Sequence, residues 1–78
     1  MGRQALTEEQ KKDRKILRTL NAYKRENRIT HRETAKALDC SEHTVSAILN
    51  GHTDLTIRAL RILIELFGVP VEEITNLL

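Results

Sequence analysis

Along most of the chain apolar residues recur at the three-and-four spacing of a helix, in blocks separated by short polar breaks. The first block places Ile16, Leu17, Leu20 and Tyr23 on one face, and Thr7 with Gln10 forms a capping box that predicts a helix from about Glu8 to Asn27. Residues 1–6 precede it as an arm. A second box, Thr30 with Glu33, opens a helix from His31 to about Leu38 whose inward positions are Thr34, Ala35 and Leu38. Asp39 tolerates the left-handed backbone of a sharp turn, and Ser41 is suited to cap a third helix, Glu42 to Leu49, with Val45, Ile48 and Leu49 facing in. Asn50-Gly51 stops it. After a loop from Gly51 to Leu55, Thr56 caps a fourth helix, Ile57 to Phe67, which Gly68 ends; Pro70 opens a short fifth through Asn76. The pattern predicts an all-α chain of five helices forming one domain over residues 1–78.

The fourth helix carries more apolar surface than a simple strut requires. At about 100° per residue, Ile57, Leu60, Leu63, Ile64 and Phe67 share a core face, while Ala59, Ile62 and Leu66 line a second one. Either the first and fifth helices cover that second face within one molecule, or a second copy does. In the dimer, Ile62, Leu66, Val71, Ile74, Leu77 and Leu78 form a two-fold apolar patch.

Residues 31–49 read as a helix-turn-helix: two short helices joined by a tight turn. On these residues the chain resembles the DNA-binding domains of the phage lambda repressor and Cro type. The resemblance rests on a polar opening residue (His31), a small residue in mid-helix (Ala35), an aliphatic of the second helix packed inward (Val45), and a closing Asn50-Gly51. The flanks agree, since ALTEEQKKDRKILRTLNAYKREN looks like the family's capped first helix and LFGVPVEEI its link from fourth to fifth helix. Asp39, Thr34 and His31 depart from the family's usual Gly, aliphatic and Gln. The resemblance implies a five-helix lambda repressor-like fold, double-stranded DNA as the ligand, and a dimer contact in the carboxy-terminal region.

A helix lying in the major groove presents its amino-terminal side chains to base edges. The exposed positions of the third helix are Glu42, His43, Ser46 and Ala47, and these are the expected base contacts. Glu42 is suited to accept from a cytosine amino group, His43 to donate to guanine N7 or O6, and Ala47 to touch a thymine methyl. Expected phosphate contacts lie at helix ends and in the following loop: His31, Arg32, Asn50, His52 and Thr53, with Thr44 assisting. Asn50 holds the position of the family's phosphate-contacting Asn, and also suits a helix C-cap. Arg3 and the arm are placed to reach around the duplex. Glu42 has a second use, since an acid in the first helical turn stabilises the helix dipole without DNA.

Composition narrows the function classes. With 78 residues and a net charge of +2, the chain has room for one small core and none for an enzyme cleft, so no catalysis and no cofactor are expected. The charge is uneven: residues 1–36 hold eleven Lys or Arg against five acids, and residues 37–78 two against six. The first half suits a polyanion, although Lys11, Lys12, Arg14, Lys15, Arg18, Lys24 and Arg25 serve equally as a solvated helix face. One cysteine excludes an internal disulfide and suits a reducing cytosol, with Cys40 expected as a buried thiol. Cys40 and His43 have half of a metal-site spacing without a second pair, so no metal is expected. No apolar run reaches membrane-spanning length, and the polar start is unlike a signal peptide. The expectation is a cytoplasmic, nucleoid-associated transcriptional regulator of a bacterial cell or phage-infected host. It would be a phage or mobile-element repressor binding a two-fold operator as a homodimer. An antitoxin-type autorepressor with a small protein partner (a toxin or antirepressor), or an interaction adaptor without DNA binding, would share the same motif.

Overall fold

The computed structural model describes residues 8–76, with side chains from Arg14 onward. The arm, the Thr7–Gln10 box and Leu77 and Leu78 lie outside the described residues. The chain forms α1 (Glu8–Glu26), α2 (His31–Leu38), α3 (Glu42–Leu49), α4 (Ile57–Phe67) and α5 (Val71–Thr75), within a residue or so of the expected bounds. Side chains cap the middle helices as the sequence suggests. Thr30 Oγ1 accepts from Glu33 N–H at 3.0 Å, Ser41 Oγ from Thr44 N–H at 3.1 Å, and Thr56 Oγ1 from Ala59 N–H at 3.0 Å.

Four of the helices end in the same way. Arg28 (φ 57°), Asp39 (φ 56°), Gly51 (φ 79°) and Gly68 (φ 73°) take the left-handed conformation. The N–H of the next residue reaches back to the last full turn in each case: Ile29 to Lys24, Cys40 to Ala35, His52 to Ala47, and Val69 to Ile64, at 2.8–3.0 Å. Each closure satisfies otherwise orphaned carbonyls and reverses the chain within about three residues. Glycine takes this backbone without strain; arginine and aspartate do not.

The reversals stack the helices around one core. Leu20, Val45, Leu63 and Phe67 are fully enclosed, with Ile16, Ala35, Leu49, Val69 and Ile74 around them. Burying each large side chain contributes about 1.5–3 kcal/mol. Thr34, which stands where an aliphatic is usual in the resembled family, is also fully buried, and its hydroxyl donates to Thr30 O at 2.8 Å. Among the described residues no buried side-chain polar atom lacks a partner. Tyr23 on α1 meets Glu73 on α5. Hydrogen bonding to that carboxylate, then burial and the negative charges of Glu73 and Glu26, raises the phenol above its ordinary 10.0. As pH rises through that raised value the phenol ionises and the tie is lost.

Three apolar expectations need correction. Ile57, placed on the core face of α4, is 77% exposed: it has the right angle but sits in the first turn, beyond the end of the core. Ile74, assigned to a dimer patch, is 4% exposed within the single chain and belongs to its core. Cys40, expected buried, is half-buried at the turn and packs on the core's edge. The second face of α4 is partly covered from within. Ala59 and Ile62 line a small concavity with Leu38, Cys40 and Ile48, on the α2–α3 side, and Leu66 packs against the core.

Arg28 is one of two non-glycine residues that hold a left-handed closure. Arg28→Gly removes a left-handed penalty of roughly 1–2 kcal/mol, offset in part by the freer unfolded chain, so a net gain of ~1 kcal/mol and a Tm rise of roughly 4–8 °C are expected. Arg28→Ala keeps the penalty and should give no gain. Thermal unfolding of the two variants checks this; equal Tm values would contradict the assignment of strain.

Candidate nucleic-acid interface

α3 divides its surface in two. Val45, Ile48 and Leu49 are buried, while Glu42 and His43 are exposed and Ser46 and Ala47 half-exposed on the opposite side. At about 100° per residue these four positions and Asn50 fall within one continuous stripe, so the four expected base-contacting positions do converge. Asn50 extends the stripe past the helix end, where its Nδ2 lies 3.2 Å from Ser46 Oγ. Its backbone also serves as the C-cap of α3, as expected, while the side chain stays on the exposed face.

Elements on either side frame this stripe. His31, half-buried, and Arg32, exposed, open α2. His52 and Thr53 are exposed in the loop that follows α3. His52 N–H donates to Ala47 O at 2.8 Å, which folds the loop back against the helix. Thr44 is placed apart from the others. Its hydroxyl is 2.9 Å from Ser41 Oγ in the N-cap, and it lines the concavity on the α4 side together with Thr56 and Arg58. The period explains the separation, since Thr44 lies more than a third of a turn from the stripe's centre.

Two side-chain amides that no sequence pattern singles out tie helix ends to one another. Asn21 Nδ2 on α1 donates to Leu49 O at 3.1 Å and to Leu17 O at 2.8 Å, tying the last turn of α3 to the middle of α1. Asn27 Nδ2 does the same for α4, donating to Phe67 O at 2.6 Å. Both bonds meet helix carboxyl ends, where carbonyls otherwise lack partners. They span 28 and 40 residues of chain, so no local motif announces them. Leu17 also lies beside the loop after α3, its Cδ1 3.5 Å from where a Cβ on Gly51 would stand.

Among the described residues no group of three potential metal ligands converges, and no helix is long and apolar enough to cross a membrane. Residues 16–77 match the protein family described as a helix-turn-helix domain, in agreement with the resemblance carried by residues 31–49 and their flanks. No curated protein and no solved structure matches the chain.

The Asn21 tie can be tested with one isosteric change. Asn21→Asp removes the donor and sets a carboxylate against two carbonyls, costing about 1–2 kcal/mol at neutral pH. Protonation restores a donor, so the deficit relative to wild type should shrink as pH falls below 4. Urea unfolding at both pH values measures it. A deficit that is absent at pH 7, or unchanged on acidification, would remove Asn21 from this role.

Proposed function

Since the chain belongs to the helix-turn-helix domain family, a DNA-binding family, we propose that it is a sequence-specific transcriptional regulator, a repressor of phage or mobile-element type that binds a two-fold operator as a homodimer. Residues 1–78 act in this reading as one DNA-binding module. The observation that carries it is the divided surface of α3. One stripe is held in the core, and the other presents Glu42, His43, Ser46 and Ala47 with Asn50 at its end. A helix with that surface fits the major groove, with Glu42 and His43 as the polar readers and Ala47 as an apolar contact. His31, Arg32, Asn50, His52 and Thr53 supply phosphate contacts at the stripe's edges. Thr44 is the weakest member of that set, because its hydroxyl is engaged in the N-cap.

Selection of bound sites from a random DNA pool tests the readout. Wild type should enrich a two-fold site, and Glu42→Ala and His43→Ala should each relax preference at particular positions by about 1–3 kcal/mol while non-specific binding persists. Identical preferences in all three proteins would remove α3 from the groove.

The homodimer follows from scale. One small helix-turn-helix touches too few base pairs for a unique site, and two copies would read half-sites roughly 34 Å apart. Of the residues expected at the contact, Val71 is 62% exposed and Ile62 and Leu66 are half-exposed, whereas Ile74 is enclosed. The contact is therefore proposed to run through Leu66 and Val71. Val71→Glu should give a helical monomer with weakened operator binding, because the second half-site no longer binds on the same molecule. Ile74→Glu should unfold the chain, since it leaves an unpaired charge in the core. Light scattering and circular dichroism on the pair check both outcomes; a folded, dimeric Val71→Glu protein would move the interface elsewhere.

A further inference from the structure

Hydroxyls within the helices of this chain turn back on the backbone. Thr19, Thr34 and Thr75 each donate to the carbonyl four residues earlier, Lys15 O, Thr30 O and Val71 O, at 2.8–3.0 Å. Ser46 departs from them. Its Oγ stands 3.2 Å from Asn50 Nδ2, one turn further along the open stripe of α3, with Ser46 half-exposed and Asn50 exposed. An amide nitrogen only donates, so Ser46 Oγ accepts, and its own hydrogen is left for another acceptor. The surroundings of Asn50 favour that sense of the amide. Asn50 lines an open concavity with Arg18 and Arg25 and no carboxylate. Positive charge on that side draws the amide oxygen toward the arginines and turns the nitrogen toward Ser46. The second amide hydrogen remains for a phosphate.

We propose that Asn50 is a positioning residue for base readout: by donating to Ser46 Oγ it fixes Ser46 as a hydrogen-bond donor toward the groove, so that the base facing Ser46 is guanine in preference to cytosine. The inference rests on the reading that α3 lies in the major groove, and it gives Asn50 a part in sequence choice beside its contact with the strand. The chemistry is one of polarity. A lone serine hydroxyl both donates and accepts, so it tolerates any base edge. Once its lone pair is engaged by an amide it offers a hydrogen only. Guanine answers with two acceptors in the major groove, N7 and O6, whereas cytosine presents only the N4 amino group, a second donor. The pair thus converts an indifferent contact into a discriminating one. A phosphate contact alone would carry no such information.

The test measures affinity for the site selected by wild type and for its single-base variants, and reads the ratio between duplexes within each protein, where uniform losses cancel. Wild type should favour guanine over cytosine at one position by roughly 2- to 10-fold, the worth of one hydrogen bond. Ser46→Ala should abolish that ratio. Asn50→Ala should weaken every duplex and also collapse the ratio at the same position, and the double variant should lose no more of it than either single one. Asn50→Asp is the sharpest case. A carboxylate only accepts, so Ser46 must donate to it and turn a lone pair to the groove, and the preference should invert toward cytosine or adenine, whose amino groups donate. Circular dichroism verifies folding throughout. If Ser46→Ala leaves the ratio unchanged, or Asn50→Ala weakens all duplexes alike and keeps it, or Asn50→Asp still favours guanine, the positioning role is overturned while the groove reading stands. If wild type selects no site at low salt, the groove reading and the positioning role fail together.

Discussion

Reversal of the chain through a left-handed residue governs this molecule. Four helices must each end and turn within about three residues, and they do so at Arg28, Asp39, Gly51 and Gly68. The closure at Asp39 matters most for function, because it sets the direction in which α3 leaves α2. A turn there of any other hand would rotate α3, and its buried stripe would no longer meet Leu20, Leu63 and Phe67. Val45, fully enclosed in the core, registers that angle. The backbone accepts some strain at Asp39 and Arg28 so that eight residues of α3 can be anchored on one side and left open on the other.

Helices as short as α2 and α3 are marginal on their own and draw their stability from packing. α3 therefore depends on three kinds of attachment: an apolar stripe, a serine cap at its start, and the Asn21 amide at its end. These fix the helix at both termini and along one side. The exposed stripe is then a rigid surface, and it carries little fixed charge of its own. The positive charge sits on α1 and at the start of α2, while acids gather in the second half of the chain. On the proposed reading, recognition and attraction are separated in space, with base-edge chemistry on α3 and polyanion attraction on the helices beside it.

The helices were legible because their ends are written in residue types with local effects. Thr30, Ser41 and Thr56 cap; Asp39, Gly51 and Gly68 close; the periods between them are unambiguous. The helix-turn-helix and the members of its exposed stripe follow from that alone. Other features escaped for physical reasons. Periodicity reports the angle of a side chain and not its distance along the helix, so Ile57 looked like core while lying past the core's end. α5 is one turn long, and a period cannot tell which way five residues face; Ile74 turns in and Val71 out. Arg28 is not a residue whose type signals a left-handed bend. The Asn21 and Asn27 bonds join residues remote in sequence, and only the folded chain brings each amide to a carbonyl end. Thr44 is expected among the phosphate contacts, and the sequence alone does not reveal that its hydroxyl lies 2.9 Å from Ser41 Oγ in the cap.

The claim on which the rest stands is that the open stripe of α3 is the surface that meets DNA. Amide chemical-shift mapping of the labelled protein, titrated with a duplex recovered by selection, reads this directly. The largest changes should fall on Glu42, His43, Ser46, Ala47 and Asn50, with α5 little affected. Changes concentrated on α4 and α5 with α3 silent would contradict it.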